Sequence, residues 1–220
     1  MALRIEAIPV GPFQANAYIV SDDVTQLAAI VDPGDEGEAL GARVLDQKLT
    51  LAAIWITHGH LDHIGGIAGV RRVFPDAPIW LHAADQSLYA GAEAQGRAFG
   101  VPIEAPPPPD REWAEHDVVA LGEHEFQIVH LPGHSPGHVV LVTTDHVFVG
   151  DVVFAGSIGR TDLPMSDPRA MQQSLARVAA WPPHLALHPV HGPSTTVAVE
   201  VQTNPFLAGL ARPSGAGIRR

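Results

Sequence analysis

The chain of 220 residues contains no cysteine. That absence excludes disulfides, iron–sulfur clusters and thiolate zinc sites, and leaves nitrogen and oxygen as the protein ligands for any metal. Positive charge is also scarce, with 13 Lys and Arg against 24 Asp and Glu and a formal net charge of -11. Nucleic-acid binding is largely Lys and Arg neutralising phosphates, so this balance argues against such a partner. No stretch approaches the ~18 apolar residues of a membrane span, and Met1-Ala2-Leu3-Arg4-Ile5-Glu6 lacks an apolar run of signal-peptide length. The expectation is a cytoplasmic protein with no membrane partner. At 46% hydrophobic residues the chain can bury a large core, and we read it as one domain over residues 1–220.

Histidine, by contrast, is plentiful, at 13 residues, and Thr57-His58-Gly59-His60-Leu61-Asp62-His63 packs three imidazoles and a carboxylate into one short segment. A chain of this composition shows His-x-His-x-Asp-His by chance about 0.003 times, which points to a metal site. Local periodicity places the segment. Strands are predicted at residues 3–8, 17–21, 27–31 and 50–57, the last ending directly at His58, with a helix over 36–48 and another over 64–74. The ligand candidates then sit on a loop between strand and helix. A strand at 78–82, a short helix at 83–89 and a stiff polyproline connector at 105–110 follow. The second half reads as strands at 117–121, 124–131, 138–143 and 146–149, a helix at 168–180, a strand at 185–188 and a helix at 195–203. The two halves share a layout of strands first and helices after, and two such halves can stack their sheets face to face with helices outside.

Three more polar loops supply further ligands. Leu131-Pro132-Gly133-His134-Ser135-Pro136-Gly137-His138, Val149-Gly150-Asp151 and His188-Pro189-Val190-His191-Gly192-Pro193 each follow an apolar strand and carry Gly or Pro. Strand ends hold side chains convergent. His58, His60, Asp62, His63, His134, Asp151 and His191 are too many for one tetrahedral ion and suit two ions sharing a carboxylate. Gly159-Arg160-Thr161-Asp162 is a further polar loop, in which Arg160 reads as a loop anchor paired with Asp162 or as a substrate contact. His138 reads as a partner of the ligands, a substrate contact or a packed histidine. The remaining histidines are ordinary surface or packing residues.

These motifs in this order resemble the metallo-β-lactamase superfamily, and within it the short, single-domain glyoxalase II-like (hydroxyacylglutathione hydrolase-like) hydrolases. The resemblance rests on Val31-Asp32-Pro33-Gly34, the His58 to His63 segment with Gly65-Gly66, Pro132-Gly133-His134, Gly150-Asp151, Gly159-Arg160-Thr161-Asp162 and His191-Gly192-Pro193 with Asn204-Pro205-Phe206-Leu207. It implies an α+β fold, a four-layer αββα sandwich. It also implies that His58, His60 and His134 hold a first metal and Asp62, His63 and His191 a second, with Asp151 bridging. Val190 stands where family members commonly have Gly. Only 29 residues follow His191, so no separate C-terminal glutathione-binding helical domain is expected.

The ligands suggest the chemistry. Two divalent ions, zinc in the first place with Fe²⁺ or Mn²⁺ admissible, can hold a bridging water and lower its pKa to about 7, which supplies a hydroxide nucleophile. Asp62 is placed to orient it and accept its proton. A thioester fits best, because a thiolate leaves with little protonation and no general acid is evident. The expected partner is therefore a small-molecule thioester, with oligomeric state open. Two alternatives stay in view. One is a mononuclear iron-dependent persulfide dioxygenase, which the resemblance would build on His58, His134 and Asp151; the other is hydrolysis of a lactone or another ester on the same site.

Overall fold

The computed structural model describes residues 2–210. In its first half, strands β1 (Leu3–Val10), β2 (Ala15–Asp22) and β3 (Leu27–Val31) lead to helix α1 (Gly37–Asp46) and strand β4 (Thr50–Trp55). Helices α2 (Leu61–Ile64) and α3 (Ile67–Val73), strand β5 (Ile79–His82), a 3-10 turn (Ala83–Asp85), helices α4 (Gln86–Ala90) and α5 (Ala92–Phe99) and strand β6 (Arg111–Trp113) complete it. The second half comprises β7 (Val118–Leu121), β8 (His124–His130), β9 (Val139–Val142), β10 (His146–Gly150), the small hairpin β11 (Val153–Phe154) and β12 (Ser157–Ile158), α6 (Pro168–Ala179), β13 (Ala186–Pro189), β14 (Thr195–Thr196) and α7 (Val197–Thr203).

Two six-stranded mixed sheets result, in the orders β1-β2-β3-β4-β5-β6 and β14-β13-β10-β9-β8-β7. Side chains alternate between the faces of a strand, so a strand covered on both faces reads as continuously apolar. All eight residues of β2 are buried. Its Ala17 and Ile19 pack with Leu40 and Val44 of α1 and Ile67 and Val70 of α3, whereas Tyr18 and Val20 face the other sheet. In β8 the same alternation sends Phe126 and Ile128 to the inter-sheet core and Val129 toward Met171, Leu175 and Val178 of α6. Those three residues lie at i, i+4 and i+7, one face of a helix. Asp167 starts that helix, accepting from the N–H groups of Arg169 and Ala170, with Pro168 at the first helical position. The inter-sheet core is aromatic at its centre: Trp55 meets Phe126 at 4.9 Å and Tyr18 meets Phe148 at 5.3 Å between ring centroids. The layers are helix, sheet, sheet, helix, the α+β sandwich expected from the sequence. Among the described residues no helix is long and apolar enough to cross a membrane.

Several elements depart from the sequence expectation. The helix expected over 64–74 is two pieces, and Asp62 and His63 sit on α2 rather than on an open loop. The break falls at Gly65-Gly66, where the chain docks on the turn after β3: Gly66 N–H donates to Pro33 O at 2.7 Å, and a Cβ on Gly66 would lie 2.6 Å from Asp35 O. Residues 92–99, between the short helix expected at 83–89 and the polyproline connector, form helix α5, which was not expected from the sequence. The polyproline connector leads directly into β6, which extends the first sheet by pairing in parallel with β5. The hairpin of β11 and β12 was not expected, and Thr195 and Thr196 form β14 ahead of α7.

Candidate metal centre

Five loops meet at one end of the sandwich, each following a strand. Asp32 follows β3, His58 follows β4, His134 follows β8, Asp151 follows β10 and His191 follows β13. The sheets are laced together there by Val139 N–H to Thr57 O at 2.9 Å and Asn16 N–H to Val190 O at 2.8 Å. The Asn16 amide also donates to Pro189 O and Gly192 O, which fixes the turn that carries His191.

All seven candidates from the sequence converge in this place. His58 Nε2 lies 2.9 Å from His60 Nδ1, which is 2.9 Å from His134 Nε2. His191 Nε2 lies 3.1 Å from Asp62 Oδ2. Asp151 stands between: its Oδ2 is 3.4 Å from His134 Nε2 and 3.7 Å from His191 Nε2, and its Oδ1 is 3.5 Å from His63 Nε2. Ligand atoms gather within 4.8 Å of one another in three overlapping sets: His58, His60 and His134; His58, His63 and Asp151; Asp62, His63 and His191. His58 and His63 are fully buried, whereas the side chains of Asp62 and His191 are 15% and 31% exposed, so solvent and ligands enter from their side. The Phe154 ring meets His191 edge-on at 5.6 Å and walls that entrance.

Hydrogen bonds behind the cluster decide which ring nitrogens face inward. His134 Nδ1 donates to Arg160 O at 2.8 Å, because a carbonyl can only accept, and Nε2 is left bare toward the cluster. Asp32, fully buried, accepts from the Thr57 N–H at 2.8 Å and hydroxyl at 2.7 Å and lies 3.1 Å from His63 Nδ1. Thr57 Oγ1 is in turn 3.2 Å from His58 Nδ1, so one carboxylate orients two imidazoles and turns both Nε2 atoms inward. Carboxylates behind histidines are the usual means of fixing a ligand tautomer.

Charge follows the same geometry. Burial, then the neighbouring imidazoles, push His58 well below the ordinary histidine range, and burial takes His60 down to about 3; both are neutral, as metal ligands must be. Burial opposes protonation of His63, yet Asp32 and Asp151 outweigh it and raise that histidine well above its usual value. Asp62 and His191 behave as a pair: burial works against both charges, and their mutual hydrogen bond lowers the acid and raises the base. His63 Nε2 and Asp151 Oδ1 are buried without a hydrogen-bond partner. An orphaned buried polar atom costs on the order of 1–3 kcal/mol. Two orphaned lone pairs, one on an imidazole nitrogen and one on a carboxylate oxygen, facing each other across a ring of imidazoles fit a cation, and the donor set suits Zn²⁺, Fe²⁺ or Mn²⁺.

His138 and Arg160 occupy other positions. His138 has no exposed surface; it stacks behind His58 at 4.8 Å and its Nε2 accepts from the Asp151 N–H at 3.0 Å. A substrate contact needs a surface, so that expectation gives way to a positioning role for the Asp151 backbone. The exposed Arg160 guanidinium is engaged by Asp162 through two bonds of 2.7 and 2.8 Å, and its link to the centre is its backbone carbonyl on His134. Asp32 and Thr57 have tasks that no local sequence pattern announces; the readable sign is a polar residue at the end of each of two parallel apolar strands.

The chain is similar in sequence and fold to known proteins. The chain is 37% identical over 210 residues to the hydroxyacylglutathione hydrolase GloC of Haemophilus influenzae, covering 93% of this chain and 98% of that one. Among solved structures, TTHA1623 in a di-iron-bound form aligns with TM-score 0.85 and 44% identity over 92% of this chain and 100% of that one. The BLEG-1 B3 metallo-beta-lactamase aligns with TM-score 0.87 and 36% identity over 94% and 100%. The family model of the metallo-beta-lactamase superfamily matches residues 10–197, a span that holds all seven convergent side chains. With two facing mixed sheets and a His/Asp cluster at their common end, the chain belongs to the metallo-beta-lactamase superfamily.

Proposed function

We propose that this chain is a metal-dependent hydrolase of thioesters that works with two divalent ions, zinc in the first place. The observation that carries the reading is Asp151, whose two oxygens face His134 and His191 on one side and His63 on the other. His58, His60 and His134 would hold one ion, Asp62, His63 and His191 the other, and Asp151 would reach both. Bound there, such ions supply Lewis acidity and bring the pKa of a water to about 7.

The protein's own groups do the rest. Asp62 is held ionised by His191 and lies at the exposed side of the cluster, where a carboxylate can orient an attacking water and take its proton. Phe154 and the half-buried His191 limit access from solvent on that side. Asp32 and Thr57 keep His58 and His63 in one orientation, so no reorganisation is needed when charge develops on the substrate oxygen. A thioester needs little help at the leaving group, which agrees with a centre whose titratable groups are all spoken for. The similarity to GloC, named a hydroxyacylglutathione hydrolase, supports the same substrate class.

Elemental analysis of protein purified without added metal, paired with hydrolysis of S-lactoylglutathione, tests this. About two ions per chain with turnover is the expected outcome. One iron per chain without hydrolysis would overturn it in favour of oxygen-dependent sulfur chemistry.

A further inference from the structure

Asp85 lies outside the seven convergent residues, yet it is fully buried and saturated with donors. Its Oδ2 accepts from the Gly59 N–H at 2.9 Å and the Ser135 hydroxyl at 2.7 Å, and its Oδ1 accepts from the Gly137 N–H at 2.5 Å. Gly59 sits between His58 and His60. Ser135 and Gly137 flank the other side of His134 and lead to His138. One carboxylate, from the 3-10 turn after β5, therefore grips both loops that carry the first three imidazoles.

Two features show that the grip is built rather than incidental. A Cβ on Gly137 would lie 2.7 Å from Asp85 N and 2.8 Å from its Cγ, and a Cβ on Gly59 would lie 3.0 Å from Asp85 O. Both loops are thus bare of side chains where the turn presses on them. The turn itself is pinned by His82, whose Nδ1 accepts from the Ala84 N–H, and the His82 ring stacks on His130 at 4.3 Å. His130 Nε2 donates to Pro136 O at 2.8 Å, so a second route from the same turn reaches the His134 loop. Gln95 of α5 holds the first loop alone, donating to Gly59 O and accepting from the Leu61 N–H.

We propose that Asp85 is a positioning residue that sets the separation of the His58–His60 loop from the His134 loop, and with it the affinity of the first metal position. A carboxylate suits the task because its two oxygens accept all three converging donors. The inference rests on the ligand assignment above. Its test therefore uses metal binding and not turnover.

Zn²⁺ affinity of the folded protein, read by competition with a chromophoric chelator, is compared for wild type, His58→Ala, Asp85→Asn and Gln95→Ala. Wild type should bind Zn²⁺ at both positions and His58→Ala should lose the first while keeping about one ion at Asp62, His63 and His191, which isolates the ligand assignment; a wild type that fails to bind sinks both. Asp85→Asn keeps size but turns an NH₂ toward a donor, and should weaken Zn²⁺ ten- to hundredfold. Gln95→Ala should weaken it less. Affinity unchanged in Asp85→Asn, or an equal loss in Gln95→Ala, overturns the bridging role while leaving the ligands standing. Should Asp85→Asn fail to fold, Ser135→Ala removes one of the three bonds and leaves the carboxylate in place. It should then weaken Zn²⁺ measurably, and wild-type affinity in that variant overturns the proposal.

Discussion

The two halves of the sandwich furnish the candidate centre in opposite ways. The first half gives four side chains from one stretch of six residues, His58 to His63. The second gives three, His134, Asp151 and His191, each from the end of a different strand and separated by 17 and 40 residues. A contiguous set is ordered by one turn of chain and one helix start, so its geometry is nearly local. A dispersed set exists only when β8, β10 and β13 are in register, as the parallel pairing of His146–Gly150 with Ala186–Pro189 shows. The protein reinforces the local set from behind with Asp32, Thr57 and Gln95, ties it to the His134 loop through Asp85, and holds the dispersed set through bonds to the backbone: His134 on Arg160 O, His138 on Asp151 N–H, the Asn16 amide on the His191 turn. Removing a dispersed residue should therefore delete a function cleanly. Disturbing the local set should loosen several ligands together.

Asp151 is the sharpest probe of the difference, since its two oxygens reach toward His134 and His191 on one side and His63 on the other. Asp151→Ala should take metal content from about two ions per chain to below one, measured by elemental analysis, and well below His138→Ala, which loses a bond to the same backbone and a ring stacked on His58 but none of the proposed ligands. Equal metal in the two variants would contradict the shared position. His191→Ala should have a smaller effect. It leaves His58, His60 and His134 intact, so about one ion per chain should remain; complete loss would mean that the two sets fill as one. Smaller again is Thr57→Val, which keeps shape and burial and removes the hydroxyl between Asp32 and His58. Outer partners of metal-binding histidines are typically worth 10- to 100-fold in affinity, so metal should still bind but exchange to a chelator more readily. Wild-type exchange would show that Asp32 acts on His63 alone.

The same contrast governs what could be read from the chain. His58 to His63 are legible because their spacing is their geometry. His134, Asp151 and His191 are legible only as polar residues that end apolar strands, and it is the fold that brings them together. Asp85 and Gln95 are not legible at all. The groups that Asp85 holds lie 26, 50 and 52 residues away, and an Asp within Ala83-Ala84-Asp85-Gln86 looks like an ordinary helix start. Helix α5 escaped for a related reason: Gly96 interrupts it, and propensity treats that glycine as a break. In the structure a Cβ there would lie 2.5 Å from Val101 O, so the glycine serves packing. Strand β6 is three residues long after a run of prolines, and only its partner β5 makes it a strand. The layers were easier, because strands buried on both faces announce themselves by unbroken apolar runs.

The smallest expected effect lies at the far end of the sheets, where Asp22 performs for stability the service that Asp85 performs for the centre. It closes β2 and accepts from the Val24 N–H at 3.0 Å, the Thr25 hydroxyl at 2.8 Å and the Glu123 N–H at 3.1 Å, the last across to the turn between β7 and β8 of the other sheet. The Val24 bond first, with Thr25 and Glu123 behind it and burial opposing, lowers its pKa to about 2. A carboxylate whose folded pKa lies below its unfolded value of about 3.9 stabilises the fold above that unfolded value. The contribution fades as pH falls through the window from about 4 to about 2. Asp22→Asn should therefore lower the melting temperature slightly at neutral pH and flatten the acid limb of a stability profile between those limits. Metal affinity at neutral pH should be unchanged. A variant that lost metal as well would show that the two ends of the sandwich are coupled, and that the dispersed ligands depend on how the sheets are fastened at a distance.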